Sequence, residues 1–488
     1  MKRKIALALT MAMLGTCLAG CGQADTDTNA STEAKDTTAA GTAAAETTES
    51  EKEWYGTEDG KTITLHFWGG VQPEYGYDDL CANFNEEYKD KGLQVEYVRY
   101  VNDDNGNLQL ETYLMGGGDV DLFIGYGGRT KMDKRVDSNL LLDMSGMLND
   151  IGFNLDDELG VANMAEYHYD DGAVYGFPTK YENSRWILIN EDMFKEAGLD
   201  IPYDGWTYSE FLADAEKLTH GEGQDKVYGV CWARKQSGKS ILYALDGVLG
   251  ANQIYKNEEG TEVNFDNDVY RAGLNLVKET LDKGYAIPIE DEFSEDISVA
   301  NTFLQGKCAI MLGVAQMRLC MDQENYPHDF MTALVPAPVP DDEKYNTEFY
   351  RKQIGTTGAG DLLSISANTK YPEASFEFAM WYLKGGMSPL VQGGRIPLWN
   401  GVNKDEVLGV LKEKAQGSID MDSMENYLSL DTTQGVAAIK GHASSEISSA
   451  WFEEFDAMCY GKQSVDQTVQ NMEKRGNELI QTELSSQK

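Results

Sequence analysis

Apolar positions change their spacing several times along this chain, and each change predicts an element. Ile63, Leu65 and Phe67 alternate with Thr64 and His66, the period-two pattern of a half-buried strand. After Gly69-Gly70 the period lengthens: Leu80, Phe84 and Tyr88 recur every four residues and predict one face of a helix. Leu93, Val95 and Tyr97 alternate again. Leu110 to Met115 returns to helix and stops at Gly116-Gly117-Gly118, and Val120 to Ile124 is a nearly unbroken apolar run, as expected of a buried parallel strand. Strand, helix, strand, helix, strand is the order of an open α/β lobe.

A second set follows. Val174 to Pro178 and Arg185 to Ile189 predict strands, and Asn190 can cap a short helix that Gly198 stops. Thr207-Tyr208-Ser209-Glu210 is a capping box, with Trp206 and Phe211 as its hydrophobic staple and Phe211, Ala215 and Leu218 along the helix. Tyr228 to Trp232 and Cys308 to Leu312 predict strands. Tyr270, Leu274, Val277 and Leu281 form the apolar stripe of a helix ended by Gly284. Leu362 to Ile365 is strand-like and precedes a helix carrying Phe376, Met380 and Leu383. A last helix opens on a second box, Ser464 to Gln467, with Val465, Val469, Met472 and Leu479 on its apolar face. No internal repeat is evident and no clean linker divides the halves, the pattern of a chain that crosses repeatedly between two lobes.

The beginning of the chain has a different composition. Lys2, Arg3 and Lys4 precede an apolar stretch from Ile5 to Leu18, of secretory length and too short to favour a spanning helix. It ends in Leu18-Ala19-Gly20-Cys21, which resembles the bacterial lipobox; residues 1–20 are expected to be a signal peptide and Cys21 to carry a lipid, the only membrane anchor. The run from Gly22 to Lys52 holds no aromatic and no large aliphatic residue, so it cannot bury enough surface to offset chain entropy. Residues 21–55 read as a disordered tether of the length a Gram-positive surface would require. The remaining ~435 residues are too many for one core and indicate two lobes.

Charge narrows the partners. The formal net charge is −40, and losing Lys2, Arg3 and Lys4 with a signal takes it to −43. Such a surface repels phosphate backbones and anionic lipid, which argues against nucleic-acid binding. It fits a dispersed, monomeric exported protein and says little about the ligand. Of seven cysteines, five remain after Cys17 and Cys21: Cys81, Cys231, Cys308, Cys320 and Cys459. An odd number with no close pair supports neither a disulfide framework nor a zinc site, and buried free thiols are expected.

Catalytic motifs are missing: no H-E-x-x-H, no G-x-S-x-G and no dinucleotide G-x-G-x-x-G. Ser237-Gly238-Lys239-Ser240 has the tail of a phosphate-binding loop, but its upstream glycine would fall on Ala233. Asp103 to Asn107 hints at a calcium loop with Gly106 at the wrong position, and is read as a turn. Abundant carboxylates leave a glycosidase pair open as the weaker alternative, because with this many acids solvated surface is the better explanation of any such pair. Aromatic residues are more informative. Sugars offer apolar C–H faces to Trp and Tyr, and hydroxyls to Asp, Glu, Asn, Gln and Arg. At strand ends facing a crevice, the default site of open α/β sheets, stand Trp68, Tyr126, Arg129 and Trp232, each with core packing as the competing explanation.

Several segments, in order, resemble the family 1 extracellular solute-binding proteins of ABC importers. These are "ITLHFWGG" at Ile63, "GGGDVDLFIG" at Gly116, "DGAVYGFPT", "LINEDMFKEAGLD" and "WTYSEF" between Asp171 and Phe211, "FLQGKCAIMLG" at Phe303, "LVPAPVP", "EASFEFAMWYL" and "GKQSVDQTVQNM". The resemblance implies an α/β, two-lobe periplasmic-binding-protein-like fold of type II with hinge crossings. Lobe one would comprise residues 60–181 and 361–402, and lobe two residues 182–360 and 403–488. It also implies capture of a carbohydrate, in particular an oligosaccharide, for delivery to ABC permease subunits, with no enzymatic activity and no cofactor. A polyamine or peptide on the same scaffold remains an alternative solute. By position in the family's motifs the resemblance implies Gln72 and Glu74 after the first strand, Tyr126 and Arg129 after the third, Tyr181 and Glu182 at the first crossing, Gln316 after "AIMLG", and Arg395 and Trp399 near the third crossing as ligand contacts. Val314, Ala315 and Gln316 stand where the family often has a stacking Trp.

Overall fold

Among the described residues ten strands form two sheets. In chain order they are β1 (Ile63–Gly69), β2 (Leu93–Arg99), β3 (Leu122–Gly125), β4 (Phe177–Tyr181), β5 (Trp186–Asn190), β6 (Tyr228–Cys231), β7 (Cys308–Leu312), β8 (Thr332–Pro336), β9 (Ala359–Ile365) and β10 (Ile396–Pro397). The first sheet has the order β10-β4-β9-β3-β1-β2 and the second β6-β7-β5-β8. This computed structural model describes residues 55–101, 107–183, 185–234, 254–257, 259–294, 298–352, 359–415, 417–429 and 441–486. The segment expected to be a signal peptide, Cys21, the expected tether as far as residue 54, Asp103 to Gly106 and Ser237 to Ser240 lie outside the described residues.

The first sheet is mixed. β1 runs parallel to both β2 and β3, as the strand–helix–strand pattern requires, whereas β9 arrives from far along the chain and lies antiparallel between β3 and β4. In the second sheet β5, β7 and β8 are buried at every position, which explains their continuous apolar runs. Aromatic contacts fill the first core: Phe67 of β1 lies 5.2 Å from Phe378 and 5.6 Å from Tyr382, centroid to centroid. A buried ring of this kind contributes roughly 1.5–3 kcal/mol by leaving water.

The local signals act as read. Asn190 Oδ1 accepts the Met193 N–H at 3.0 Å at the start of the helix Glu191–Glu196, and Gly198 follows in the left-handed region at φ +69°. Thr207 and Glu210 form the reciprocal box at the head of the helix Tyr208–Leu218, with the Trp206 and Phe211 rings 5.0 Å apart. Ser464 Oγ accepts the Gln467 N–H at 3.2 Å before the helix Val465–Ser486.

Three expectations differ from the structure. The strand foreseen from Val174 starts at Phe177, because Val174 is held by the preceding loop: its N–H bonds Asp143 at 2.9 Å and its carbonyl takes the Met144 N–H at 2.8 Å. Pairing with β9 becomes available only from Phe177, opposite Leu363. The helix expected to carry Leu383 ends at Trp381, and a wider turn over Tyr382–Gly386 delivers Leu383 to the core instead. The expectation of free thiols fails for one pair. Cys231 at the end of β6 and Cys308 at the start of β7, on neighbouring strands of the second sheet, form a disulfide, 77 residues apart in sequence. Cys81, Cys320 and Cys459 are free.

The chain passes between the sheets from β4 to β5, from β8 to β9, and again after β10. There the helix Lys404–Ala415 packs beside the helices Met317–Met321 and Met421–Leu428, the latter lying on β8. The result is a two-lobe α/β fold. No helix among the described residues is long and apolar enough to cross a membrane.

Candidate functional site

At these crossings a cavity of about 70 Å³ is walled from both sides. β4 ends beside β10, with Lys180 opposite Pro397 and Tyr181 opposite Ile396, which aligns the first and third crossings. β9 brings Asp361 to the same place. Arg395 Nε donates to Asp361 Oδ2 at 2.9 Å, and Lys180 Nζ lies 3.7 Å from Asp361 Oδ1 while also pairing with Glu182. Asp361 sits at φ +54°, a backbone region few non-glycine residues occupy. Burial by itself would raise its pKa. The Lys180 ammonium and the Arg395 guanidinium overcome that effect and hold the carboxyl below its ordinary value. Tyr126, behind this cluster, has its hydroxyl pushed up to about 12, first by burial and then by the Asp361 charge.

The opposite wall comes from the second sheet. β7 ends at Leu312, and after Gly313 a tight turn over Val314–Gln316 leads into the helix Met317–Met321, which carries Arg318 into the wall. The loop before β10 lies directly on this helix: a Cβ on Gly394, at φ +76°, would stand 3.2 Å from Arg318 Cβ. Tyr427 completes the wall. Its hydroxyl accepts the Asn183 N–H at 2.9 Å and its carbonyl accepts from Tyr181 Oη at 3.2 Å. Nearby, Tyr75 from the loop after β1 donates to Asp322 Oδ2 at 3.1 Å, and the Arg318 guanidinium carbon lies 5.8 Å from the Tyr75 ring centre.

Of the residues singled out from the sequence, Tyr181, Glu182 and Arg395 line this cavity, Gln316 lies on the turn beside it, and Tyr126 backs the Asp361 cluster. Gln72 and Glu74 stand in the Tyr75 loop, Glu74 exposed. Four others are placed elsewhere. Trp68 is buried against Tyr113 and donates its indole N–H to the Asp119 carbonyl at 2.8 Å. Trp232 is buried beside Phe211 and donates to Thr280 Oγ1 at 2.9 Å. Arg129 stacks on Tyr169 and donates to Asp133 and to the Glu166 and His168 carbonyls. Trp399 donates to Glu158 Oε2 at 2.7 Å, away from the cavity. Each strand end is indeed where these residues sit; the side chain simply turns into its own lobe and finds a partner there.

Sequence reasoning missed Lys180, Asp361, Arg318 and Tyr427. One signal was available: Lys180 is a charged residue within a strand whose other positions are all buried, and such a charge requires a partner. Arg318, Asp361 and Tyr427 carry no local signal, because each acts through contacts made far along the chain.

A larger groove, about 980 Å³, lies elsewhere. Its walls are the helices Tyr77–Tyr88 and Pro372–Trp381, which pack on β2 and β9 of the first sheet, with the helix Ser145–Asp150 and the turn after Trp381. Nothing from the second sheet reaches it.

Comparison with known proteins fits this two-walled arrangement. A sugar transporter protein of Rhizobium etli, solved in an open conformation, superposes with a TM-score of 0.64 at 17% identity, covering 86% of this chain and 99% of its own. An ABC substrate-binding protein of Listeria monocytogenes in complex with cycloalternan gives 0.64 at 17%, with 86% and 98% covered. UgpB of Mycobacterium tuberculosis in complex with glycerophosphocholine gives 0.63 at 16%, with 87% and 99% covered. At these identities the likeness is one of fold. The family model described as bacterial extracellular solute-binding protein matches residues 69–384, more than half of the 488 residues, and this chain belongs to that family.

Proposed function

We propose that this protein captures a carbohydrate between its lobes outside the cell, tethered by a lipid on Cys21, and hands it to the permease subunits of an ABC importer. The observation that carries this reading is the cavity at the crossings, walled by Tyr181 and Arg395 on one side and Arg318 and Tyr427 on the other, with Glu182 at the crossing itself. Lobe one comprises residues 60–181 and 361–402, lobe two residues 182–360 and 403–488. At about 70 Å³ the cavity is far below the roughly 300–1,000 Å³ of ordinary ligand pockets, so entry of a sugar requires the lobes to part. A ligand touching both walls gains contacts that exist only when they approach again, and that difference drives closure.

The side chains suit the task. Tyr181 and Tyr126 offer ring faces, while Glu182, Arg395, Gln316, Gln72 and Glu74 offer hydrogen-bonding groups to hydroxyls. Capture and release change no covalent bond. A dissociation constant of about 1 μM, near −8 kcal/mol, would combine retention with release. The relatives named for a sugar and for cycloalternan support carbohydrate. The one bound to glycerophosphocholine keeps a non-sugar solute as the second reading.

The test is a thermal-shift screen of the purified mature chain against oligosaccharides, polyamines, peptides and glycerophosphodiesters, with product analysis alongside. A sugar that raises the melting temperature without being cleaved is the expected result. Stabilisation by another class alone selects the second reading, and cleavage products overturn both. Cys21→Ala is expected to release the protein from the membrane fraction.

A further inference from the structure

The protein as a whole is strongly acidic, at −40, yet its interlobe cavity is not. Lys180, Arg318 and Arg395 meet Glu182 and Asp361 there, three cations against two carboxylates. The carboxylates are already engaged: Asp361 holds Lys180 on one oxygen and Arg395 on the other, and Glu182 holds Lys180. Among the described residues Arg318 makes no ion pair. Of the five N–H donors of Arg395, only Nε–H meets an acceptor there, although the residue is only 8% exposed.

We propose that the captured saccharide carries an anionic group, carboxylate or phosphate, which docks between Arg318 and Arg395. This rests on the carbohydrate-capture reading and narrows it. A buried guanidinium with unused donors needs acceptors, and a surplus positive charge in a small cavity needs a counter-charge. Neutral hydroxyls supply acceptors alone, whereas an anion supplies both and can bind a guanidinium by two parallel hydrogen bonds. The two arginines stand on opposite walls, Arg318 after β7 and Arg395 before β10, held close by the contact between Gly394 and Arg318. An anion bridging them is therefore held best when the lobes are shut, so the charge that selects the ligand also favours closure.

The test is calorimetric titration of the purified mature chain with matched pairs of oligosaccharides, each pair differing only in a neutral sugar replaced by its uronic acid or its 6-phosphate. The charged members are expected to bind at least about tenfold tighter, one charge-assisted contact's worth. That advantage should shrink as salt rises. Arg318→Gln should abolish the preference and Arg318→Lys should retain part of it, both with an unchanged melting temperature of the free protein. Whether uronate or phosphate wins identifies the anion. A neutral oligosaccharide that binds as tightly as its charged counterpart overturns this inference and leaves carbohydrate capture standing. Failure of every saccharide to bind overturns both.

Discussion

Two hollows among the described residues differ in size by an order of magnitude, and the smaller one has the better claim to function. The groove of about 980 Å³ is built by helices on one sheet. Two of its polar pairs are internal: the Tyr88 hydroxyl donates to Glu377, and the Trp381 indole donates to Glu87 at 2.8 Å. The cavity of about 70 Å³ has walls from both sheets and cations with donors to spare. A site can drive lobe closure only if its occupant touches both lobes. Walls and unused hydrogen-bonding capacity are therefore better guides than volume.

The comparison can be broken most sharply at Asp361. Replacing it by Asn leaves Lys180 and Arg395 buried with less than their share of negative charge, and is expected to destabilise the fold by about 3–5 kcal/mol in chemical denaturation. Glu373→Gln, at an exposed groove carboxylate, is expected to stay within about 0.5 kcal/mol. Equal effects at the two positions would remove the distinction.

Acid sharpens the same point. Asp361 has its pKa lowered in the fold, despite burial, by Lys180 and Arg395. Its stabilisation is therefore complete above the unfolded value of about 4 and is lost as pH falls through the lower folded value. Circular dichroism of the wild type should show an acid-induced loss of stability below about pH 4, with a shallower limb in Asp361→Asn.

A smaller effect is expected at the rim. Tyr75→Phe removes the hydrogen bond to Asp322 across the two lobes and should cost about 1 kcal/mol of closed-state stability. In small-angle scattering the free protein would become more extended, whereas Glu373→Gln would leave the profile unchanged.

The finest probe uses cysteines. Cys81 lies on a helix that walls the groove and Cys320 on one that walls the cavity, and burial pushes both thiols up to about 12. Neither should react with a thiol reagent at pH 8 with or without ligand, and with Cys459 they should give three equivalents on unfolding without reductant. Reaction of Cys320 only in the free protein would mean that the second lobe deforms rather than moving as a body.

Much of the fold was legible in the chain. The alternation of Ile63, Leu65 and Phe67, the box at Thr207 and Glu210 and the stripe on the helix Asp268–Asp282 each specify an element through near neighbours, and each appears in the structure. The candidate site was legible only in part. Tyr181, Glu182 and Arg395 reached it through a resemblance of motifs. Trp68 and Trp232 sit at the strand ends that suggested them and face inward, because strand position specifies where a Cα lies and not which neighbour the ring will find.

By itself, the order of residues determined that most of these strands and helices exist, though not every boundary, and that two α/β units share one chain, since caps and apolar periods act within a few residues. The strongly acidic surface was equally plain from composition. Tertiary structure alone decided that Cys231 would meet Cys308, that Asp361 would join Lys180 to Arg395, and that a cavity walled by both lobes would gather three cations against two carboxylates. Those outcomes depend on pairing between strands that lie in some cases more than about 200 residues apart, and no local pattern encodes a partner at that distance.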